Sequence, residues 1–348
     1  MKRRGYIFEK ICDIDNLREA HRNSRKDKTY YREVKMVDSD PDFYLKKIQE
    51  MLANKTYKVS EYTISTLNDK GKERELMKLP YFPDRIIQWA IMLQIEQDFM
   101  NVFCNHSCAS VKGRGIHHAT RLVDKYMKDK EGCKYCLKID IKKFYPNIDH
   151  EILKQLLRKI FKDKNLLWIL DLIIDSMPEG KGVPIGSYLS QYLANFYLTY
   201  FDHWLKEEKR VKYVIRYMDD IVIFGATKEE LHQLKSDIDN YLEENLKLKI
   251  KGNHQVFPTA IRGVDFVGYR HFFGYKLLRK STCKRFKRTC RRIYKRVKNG
   301  ALMRLNEFCS INSYDGWLKW CNSWRLKEKY IKQLEEALLK YREVYCNA

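Results

Sequence analysis

The strongest constraint in the chain is one short stretch, Tyr217-Met218-Asp219-Asp220, set between Val214-Ile215-Arg216 and Ile221-Val222-Ile223-Phe224. Two runs rich in β-branched residues, joined by about two residues, predict a β-hairpin. The turn is chemically wrong for one. Tight hairpins favour Asn-Gly or Asp-Gly because their central residues need positive φ, so Met218-Asp219 is expected to be strained. Two adjacent carboxylates at an apolar tip are also costly unless a positive group sits on them. A local rule broken inside a strongly patterned segment points to a functional site. The alternative is a solvated turn that happens to be acidic, and the rest of the chain has to decide.

The sequence has 348 residues, 44% of them hydrophobic, which is enough for a large core in two or three packed subregions. Its 68 Lys and Arg against 45 Asp and Glu give a formal charge of +23. That excess favours a polyanionic partner through counterion release. No apolar run approaches the roughly 18 residues that span a bilayer. The basic start Met1-Lys2-Arg3-Arg4-Gly5 leads into no apolar signal region. A cytoplasmic protein with no membrane partner is expected. The ten Cys read as small buried hydrophobes of a reducing compartment. Cys104-x3-Cys108 and Cys133-x2-Cys136 imitate a zinc set, but Cys133 and Cys136 flank the start of a strand and are expected to point to opposite faces.

Residues 1–60 read as a charged helical extension, in which Asp40-Pro41 starts a helix. The extension serves either packing or RNA contact. Tyr62–Thr66, a turn at Asn68–Lys72, and Arg74–Pro80 predict a hairpin with a cationic tip. It reads either as a triphosphate clasp, with Arg74 foremost and Lys70 or Lys72 as helpers, or as a solvated basic turn, the better reading for Lys70 and Lys72 taken singly. Asp84-Arg85 opens a helix. Gly113-Arg114-Gly115 suggests backbone bent close to a ligand or a template phosphate, and His117-His118 a helix start. Lys134–Asp140 is a strand ending in an aspartate. A helix follows from about Glu151 to Ser176, capped by Asp149. A second, aromatic helix runs from about Tyr188 to Trp204, entered through Ile185-Gly186. Lys228 to about Lys249 is amphipathic, and Gly263–Arg270 is a short strand. Tyr275–Gly300 carries twelve Lys or Arg and no acid, a basic helical face that favours nucleic-acid backbone contact. Trp317, Trp320, Trp324, Leu334 and Leu338 close a small helical bundle. The mixture suggests an α+β fold, an antiparallel sheet covered by helices on one face.

If the strands ending at Asp140 and starting at Asp220 are neighbours, Asp140, Asp219 and Asp220 converge. Carboxylates plus substrate phosphates are how Mg²⁺ is usually held, and two such ions serve in-line phosphoryl transfer. With a basic helix downstream, nucleotidyl transfer is the natural reading.

Here the chain resembles a reverse transcriptase of the bacterial, group II intron-like lineage, most strongly over Tyr62–Arg270. The resemblance implies a right-hand polymerase. Its parts would be an N-terminal helical extension (1–60), fingers (61–135), a palm with inserted finger elements (136–270) and a helical thumb (271–348). Asp140 matches the first catalytic aspartate and Tyr217–Asp220 the YxDD box. These aspartates, with the Ile141 backbone, would hold two Mg²⁺, or Mn²⁺ in their place. Tyr145 matches the aromatic steric gate at the sugar 2′ position, and Arg74 the fingertip arginine. Lys72, Ile185, Gly186 and Gln191 would complete the deoxynucleoside triphosphate site. Phe266, Gly268 and Tyr269 belong to a primer grip, and Arg114, Arg285, Arg288, Arg291 and Arg292 would contact nucleic-acid backbone. The implied partners are an RNA template, a DNA primer and product, and dNTPs.

One departure narrows the resemblance. The usual Gln-Gly-x-x-x-Ser-Pro reads Ile185-Gly186-Ser187-Tyr188-Leu189-Ser190-Gln191 here, close to the wording of diversity-generating retroelement enzymes. Those copy a template RNA with errors at adenines beside a small basic accessory protein. An Ile beside the nascent pair removes a hydrogen bonder and would loosen base selection. Asp84–Gln88 departs from that family's wording. A defence-associated (antiviral) reverse transcriptase copying a small noncoding RNA, with a second defence subunit, therefore stands as the alternative. No maturase, endonuclease or RNase H stretch is legible, which weighs against an autonomous intron protein. A catalytically inactive RNA-binding scaffold is the remaining reading, and the intact aspartates argue against it.

Overall fold

The computed structural model of the chain describes residues 2–69, 72–184 and 187–345, with side chains described outside 67–75 and 345. Strands β1 (Thr63–Asp69) and β2 (Lys72–Lys78) form the expected hairpin. A four-stranded antiparallel sheet follows, in the order β4-β5-β3-β6, built from β3 (Tyr135–Asp140), β4 (Tyr213–Tyr217), β5 (Asp220–Gly225) and β6 (Gln255–Pro258). A second sheet comprises β7 (Val264–Phe266), β8 (Tyr269–Phe272) and β9 (Tyr275–Leu278).

Both faces of the central sheet are buried, not one. Leu137, Ile139, Ile221 and Ile223 join the main core, and their alternating neighbours Cys136, Ile215, Val222 and Phe224 join a second cluster. This explains why Ile221–Phe224 is an unbroken apolar run, the pattern of a strand covered on both sides. The main core is helical: Phe99 of the helix Ile86–Val102 lies within 6.1 Å of the rings of Phe103, Phe161, Tyr192 and Phe196. The smaller cluster sits under the helix Ile116–Tyr126 and contains Cys108, Cys133 and Cys136. Cys133 and Cys136 therefore share one apolar cluster instead of pointing apart, and burial pushes both thiols up, that of Cys133 to about 12.

Several expected elements are divided. The helix expected over 151–176 is two, His150–Ile160 and Lys164–Asp175. Phe161 turns extended and Asp163 caps the second helix through the Asn165 and Leu166 N–H groups. The aromatic helix breaks at Leu198 into Tyr188–Tyr197 and Thr199–Glu207. Gly263–Arg270 is a hairpin, not one strand: Val267-Gly268 is a two-residue turn with Phe266 opposite Tyr269. Asp40 and Asp149 cap their helices as expected, accepting from the Phe43 and Ile152 N–H groups. In the C-terminal bundle the basic helix Lys280–Lys298 buries Phe286, Cys290 and Ile293 against Ile311, Leu318, Tyr330 and Leu334, while Trp324 lies outside, 73% exposed. No helix of the described residues is long and apolar enough to cross a membrane.

Candidate active site

The register of β3 on β5 sets Asp140 directly opposite Asp220, and β4 returns so that Tyr217 pairs with Asp220 across the Met218-Asp219 turn. The Ile141 N–H donates to the Asp219 carbonyl at 3.2 Å, tying the turn to the end of β3. Three aspartates thus meet at one sheet end. Among the described residues no group of three or more His, Cys, Asp or Glu is arranged to hold a metal unaided. Cations sit on two of the carboxylates. Lys251 donates its backbone N–H to the Asp140 carbonyl at 2.8 Å and its Nζ to the Asp140 carboxylate. Lys138 Nζ lies 3.6 Å from Asp220 and donates to the Asp265 carbonyl at 2.7 Å. Burial raises the Asp220 carboxyl to about 6; Lys138 opposes the rise, and Asp140 and Asp219 add to it. Asp220 Oδ1 is buried with no hydrogen-bond partner. A buried, unsatisfied carboxylate oxygen crowded by two further carboxylates suits a divalent cation completed by substrate phosphates.

Of the two turn residues only Met218 is left-handed, at φ 55°. A turn with positive φ at its first central position normally has Gly there, so the strain is confined to Met218. Something must hold it, and that is Arg216, the largest fully buried side chain among the described residues. Its guanidinium donates to the Met218 carbonyl at 3.1 Å, to Asn195 Oδ1 at 3.1 Å and to Ser107 Oγ at 2.9 Å, and it grips Asp202 through Nε at 2.8 Å and Nη2 at 2.5 Å. Burial would raise the Asp202 carboxyl; Arg216 and His106 overcome that and hold it down, at about 2. Sequence reasoning missed this network. The available signal was an arginine inside an otherwise apolar strand run, a position that demands a buried partner.

Tyr145 stands beside the turn, its hydroxyl 4.0 Å from Met218 Sδ, and burial, then Asp219, raises its phenol. The Val183 N–H donates to the Tyr145 carbonyl at 3.2 Å, which brings the loop before Ser187 against the expected gate residue. Ser187 caps the aromatic helix and donates to Gln88, whose Nε2 is buried without a partner. Gln191 is half-buried one turn inside that helix. Ile185 and Gly186, and the side chains of Lys72 and Arg74, lie outside the described residues. Arg114 is tied to its own loop: Nη1 donates to the carbonyls of Cys104 at 2.6 Å and Ser107 at 3.3 Å.

Val267-Gly268 is the second two-residue turn with a bulky residue at positive φ, Val267 at 42° and Gly268 at 91°. Gly268 is required twice over, because a Cβ there would collide with the Trp317 ring. Phe266 and Tyr269 are fully buried, and Tyr269 donates to the Trp317 carbonyl at 3.1 Å. They shape the turn, while Val267 and Gly268 line a cavity of about 490 Å³ with Tyr217, Asp220, Arg285 and Trp317. Arg285, Arg288, Arg291 and Arg292 are all exposed on the basic helix. Arg291 differs from the rest in donating to the Tyr330 hydroxyl at 3.2 Å within the bundle.

A sheet end with three carboxylates, faced by a second strained hairpin and a basic helix, is the layout of a template-directed polymerase palm. Residues 44–271 match the family model described as "Reverse transcriptase (RNA-dependent DNA polymerase)". The chain belongs to that family and has its right-hand fold of fingers, palm and thumb. Protein YkfC of Escherichia coli (strain K12) is 24% identical over 242 residues, covering 58% of this chain and 63% of that one. The group II intron-encoded protein LtrA of Lactococcus lactis subsp. cremoris is 24% identical over 335 residues, covering 74% and 53%. Nuclear intron maturase 4, mitochondrial, of Arabidopsis thaliana is 29% identical over 169 residues, covering 45% and 20%. These relatives set the chain in the group II intron-like lineage, and it spans less than two thirds of the length of each. Apo telomerase from Candida tropicalis aligns with a TM-score of 0.48 and 15% identity, over 67% of this chain and 50% of that one.

Proposed function

We propose that the protein is an RNA-directed DNA polymerase that extends a DNA primer along an RNA template with deoxynucleoside triphosphates. The observation that carries this reading is the register pairing of Asp140 with Asp220, with Asp219 in the adjoining turn, in a chain of this family. Asp140, Asp219, Asp220 and the Ile141 carbonyl would hold two Mg²⁺ ions, which activate the primer 3′-OH and neutralise charge on the α-phosphate. Arg216 fixes the turn that aims Asp219. Lys251 and Lys138 balance the carboxylates' charge when no substrate is present. Tyr145, packed against Met218, sets the space left for a sugar 2′ substituent and favours deoxynucleotides. The exposed arginines of the basic helix, Arg285, Arg288 and Arg292, hold the duplex backbone.

Primer extension by an Asp219→Ala, Asp220→Ala double variant is the direct test. Loss of extension with an unchanged far-UV CD spectrum supports the reading, and full activity would sink it. The wording of residues 185–191 extends the proposal to a dedicated noncoding template within a diversity-generating retroelement. Sequencing the products separates this from a defence-associated enzyme: errors concentrated at template adenines support diversification, and faithful copying of a small RNA supports defence.

A further inference from the structure

Beside the cavity under the Val267-Gly268 turn lies a second cleft of about 450 Å³. It is lined by Lys138, Asp140, Asp220, Gln255, Asp265 and Arg279, among others. Among the described residues two line both spaces, Asp220 and Arg279. Arg279 and Asp220 therefore stand on the wall the two spaces share, and the charge of the arginine favours the ionised Asp220 carboxyl. Arg279 leads into the basic helix, and its backbone N–H donates to the Gly268 carbonyl at 3.0 Å. That bond ties the backbone of Arg279 to the Val267-Gly268 turn. Arg279 Nε donates to Asp265 Oδ1 at 2.5 Å, which fixes the side chain, and that side chain is about one third exposed. Among the described residues Nη1 and Nη2 have no hydrogen-bond partner. A planar fork with two free donors matches one phosphodiester.

We infer that Arg279 is a binding residue for the primer, holding the phosphodiester of its terminal internucleotide linkage, with Asp265 as the residue that positions it. The inference rests on the polymerase reading above. A 3′-hydroxyl that reacts at Asp220 carries its own last phosphodiester a nucleotide's length behind it. The path from Asp220 toward the Val267-Gly268 turn and the basic helix passes Arg279. The other arginines of the helix follow the duplex further out; Arg279 holds its reacting end. No residue of this kind is legible in the sequence, because Arg279 is one of twelve cations in its segment.

The test uses the full chain and a DNA primer annealed to a longer RNA template, with the last primer linkage either normal or a neutral methylphosphonate. Binding is followed by fluorescence anisotropy over a salt series, and extension by kcat and KM. For the wild type, the neutral linkage should weaken binding about tenfold. Arg279→Met should weaken binding to the normal primer by a similar factor, lose sensitivity to the neutral linkage, and reduce the salt slope by about 1. Asp265→Asn, which keeps the arginine, should retain that sensitivity. Independent, multiplying effects of Arg279→Met and the neutral linkage overturn the inference. So does an Arg279→Met variant whose weaker binding is matched by an equal loss with the neutral linkage and by a lowered urea midpoint, since the arginine would then act only as scaffold. A wild-type chain that neither binds nor extends the hybrid overturns the polymerase reading, and the inference with it.

Discussion

The buried Arg216–Asp202 pair offers a way to separate what holds the fold from what aims the active site. Asp202 is 1% exposed and Arg216 0%. Asp202→Ala would leave a guanidinium in the core with Asn195, Ser107 and the Met218 carbonyl as its remaining acceptors. Removing one partner of a buried ion pair costs about 3–5 kcal/mol, because the other charge is left uncompensated. Arg216→Met strands the Asp202 carboxylate and should cost a similar amount. Against a typical stability of about 5–15 kcal/mol, each single variant should shift its urea midpoint strongly. Replacing both, Asp202→Leu with Arg216→Met, removes the charge and should return stability to within about 1–2 kcal/mol of the wild type. Activity should not return with it. The double variant has no donor for the Met218 carbonyl, and a hydrogen bond from a charged group contributes about 1.5–3 kcal/mol. If that energy holds the strained turn in its reactive position, kcat/KM for primer extension falls about 10- to 100-fold in a well-folded protein. Urea unfolding followed by far-UV CD, run beside primer extension, gives both numbers. Single variants within about 1 kcal/mol of wild type, or full activity in the double variant, would refute the reasoning.

Two further outcomes follow from the geometry. Asp202 is held at about 2 in the fold, below the roughly 3.9 of an unfolded aspartate, so its contribution is complete above about pH 5 and is lost as the pH falls toward 2. An Asp202→Asn variant should therefore show a flatter loss of stability between about pH 5 and pH 2, and a profile parallel to the wild type counts against the pairing. Gly268→Ala meets both a φ of 91° and the Trp317 ring. It should lower stability by about 1–3 kcal/mol and raise the KM for primer; an unchanged melting temperature and KM would show that the turn yields freely.

How much of this was legible depends on the range of the forces involved. Hairpin periodicity, the Asp40 and Asp149 caps and the apolar runs of β3 and β5 are local, and they read correctly from the sequence. The divided helices at Phe161 and Leu198 did not, because apolar periodicity continues across each break. Phe161 leaves the helix because it bridges to Arg4, far away in sequence. Phe266 and Tyr269, expected within a primer grip, are buried and support its turn, because one hairpin turn between them buries both rings. Arg114 and Arg216 show the same limit in opposite directions. The first was expected at a ligand and closes its own loop; the second passed unremarked and anchors the reactive turn.

The sequence alone determined that Tyr217–Asp220 forms a strained acidic hairpin, that Asp140 ends a strand, and that a basic helix lies downstream. Those follow from φ preferences, period-two patterning and charge, all properties of neighbouring residues. Only the tertiary structure decided that Asp140 faces Asp220, that Arg216 holds the Met218 carbonyl, and that Lys251, Lys138 and Arg279 surround the acids. The carboxylate and cation pairs join residues far apart in the chain. The Arg216–Met218 contact, though local, is set by the distant Asp202, Asn195 and Ser107 that hold the buried guanidinium, where an unpaired charge is too costly to keep.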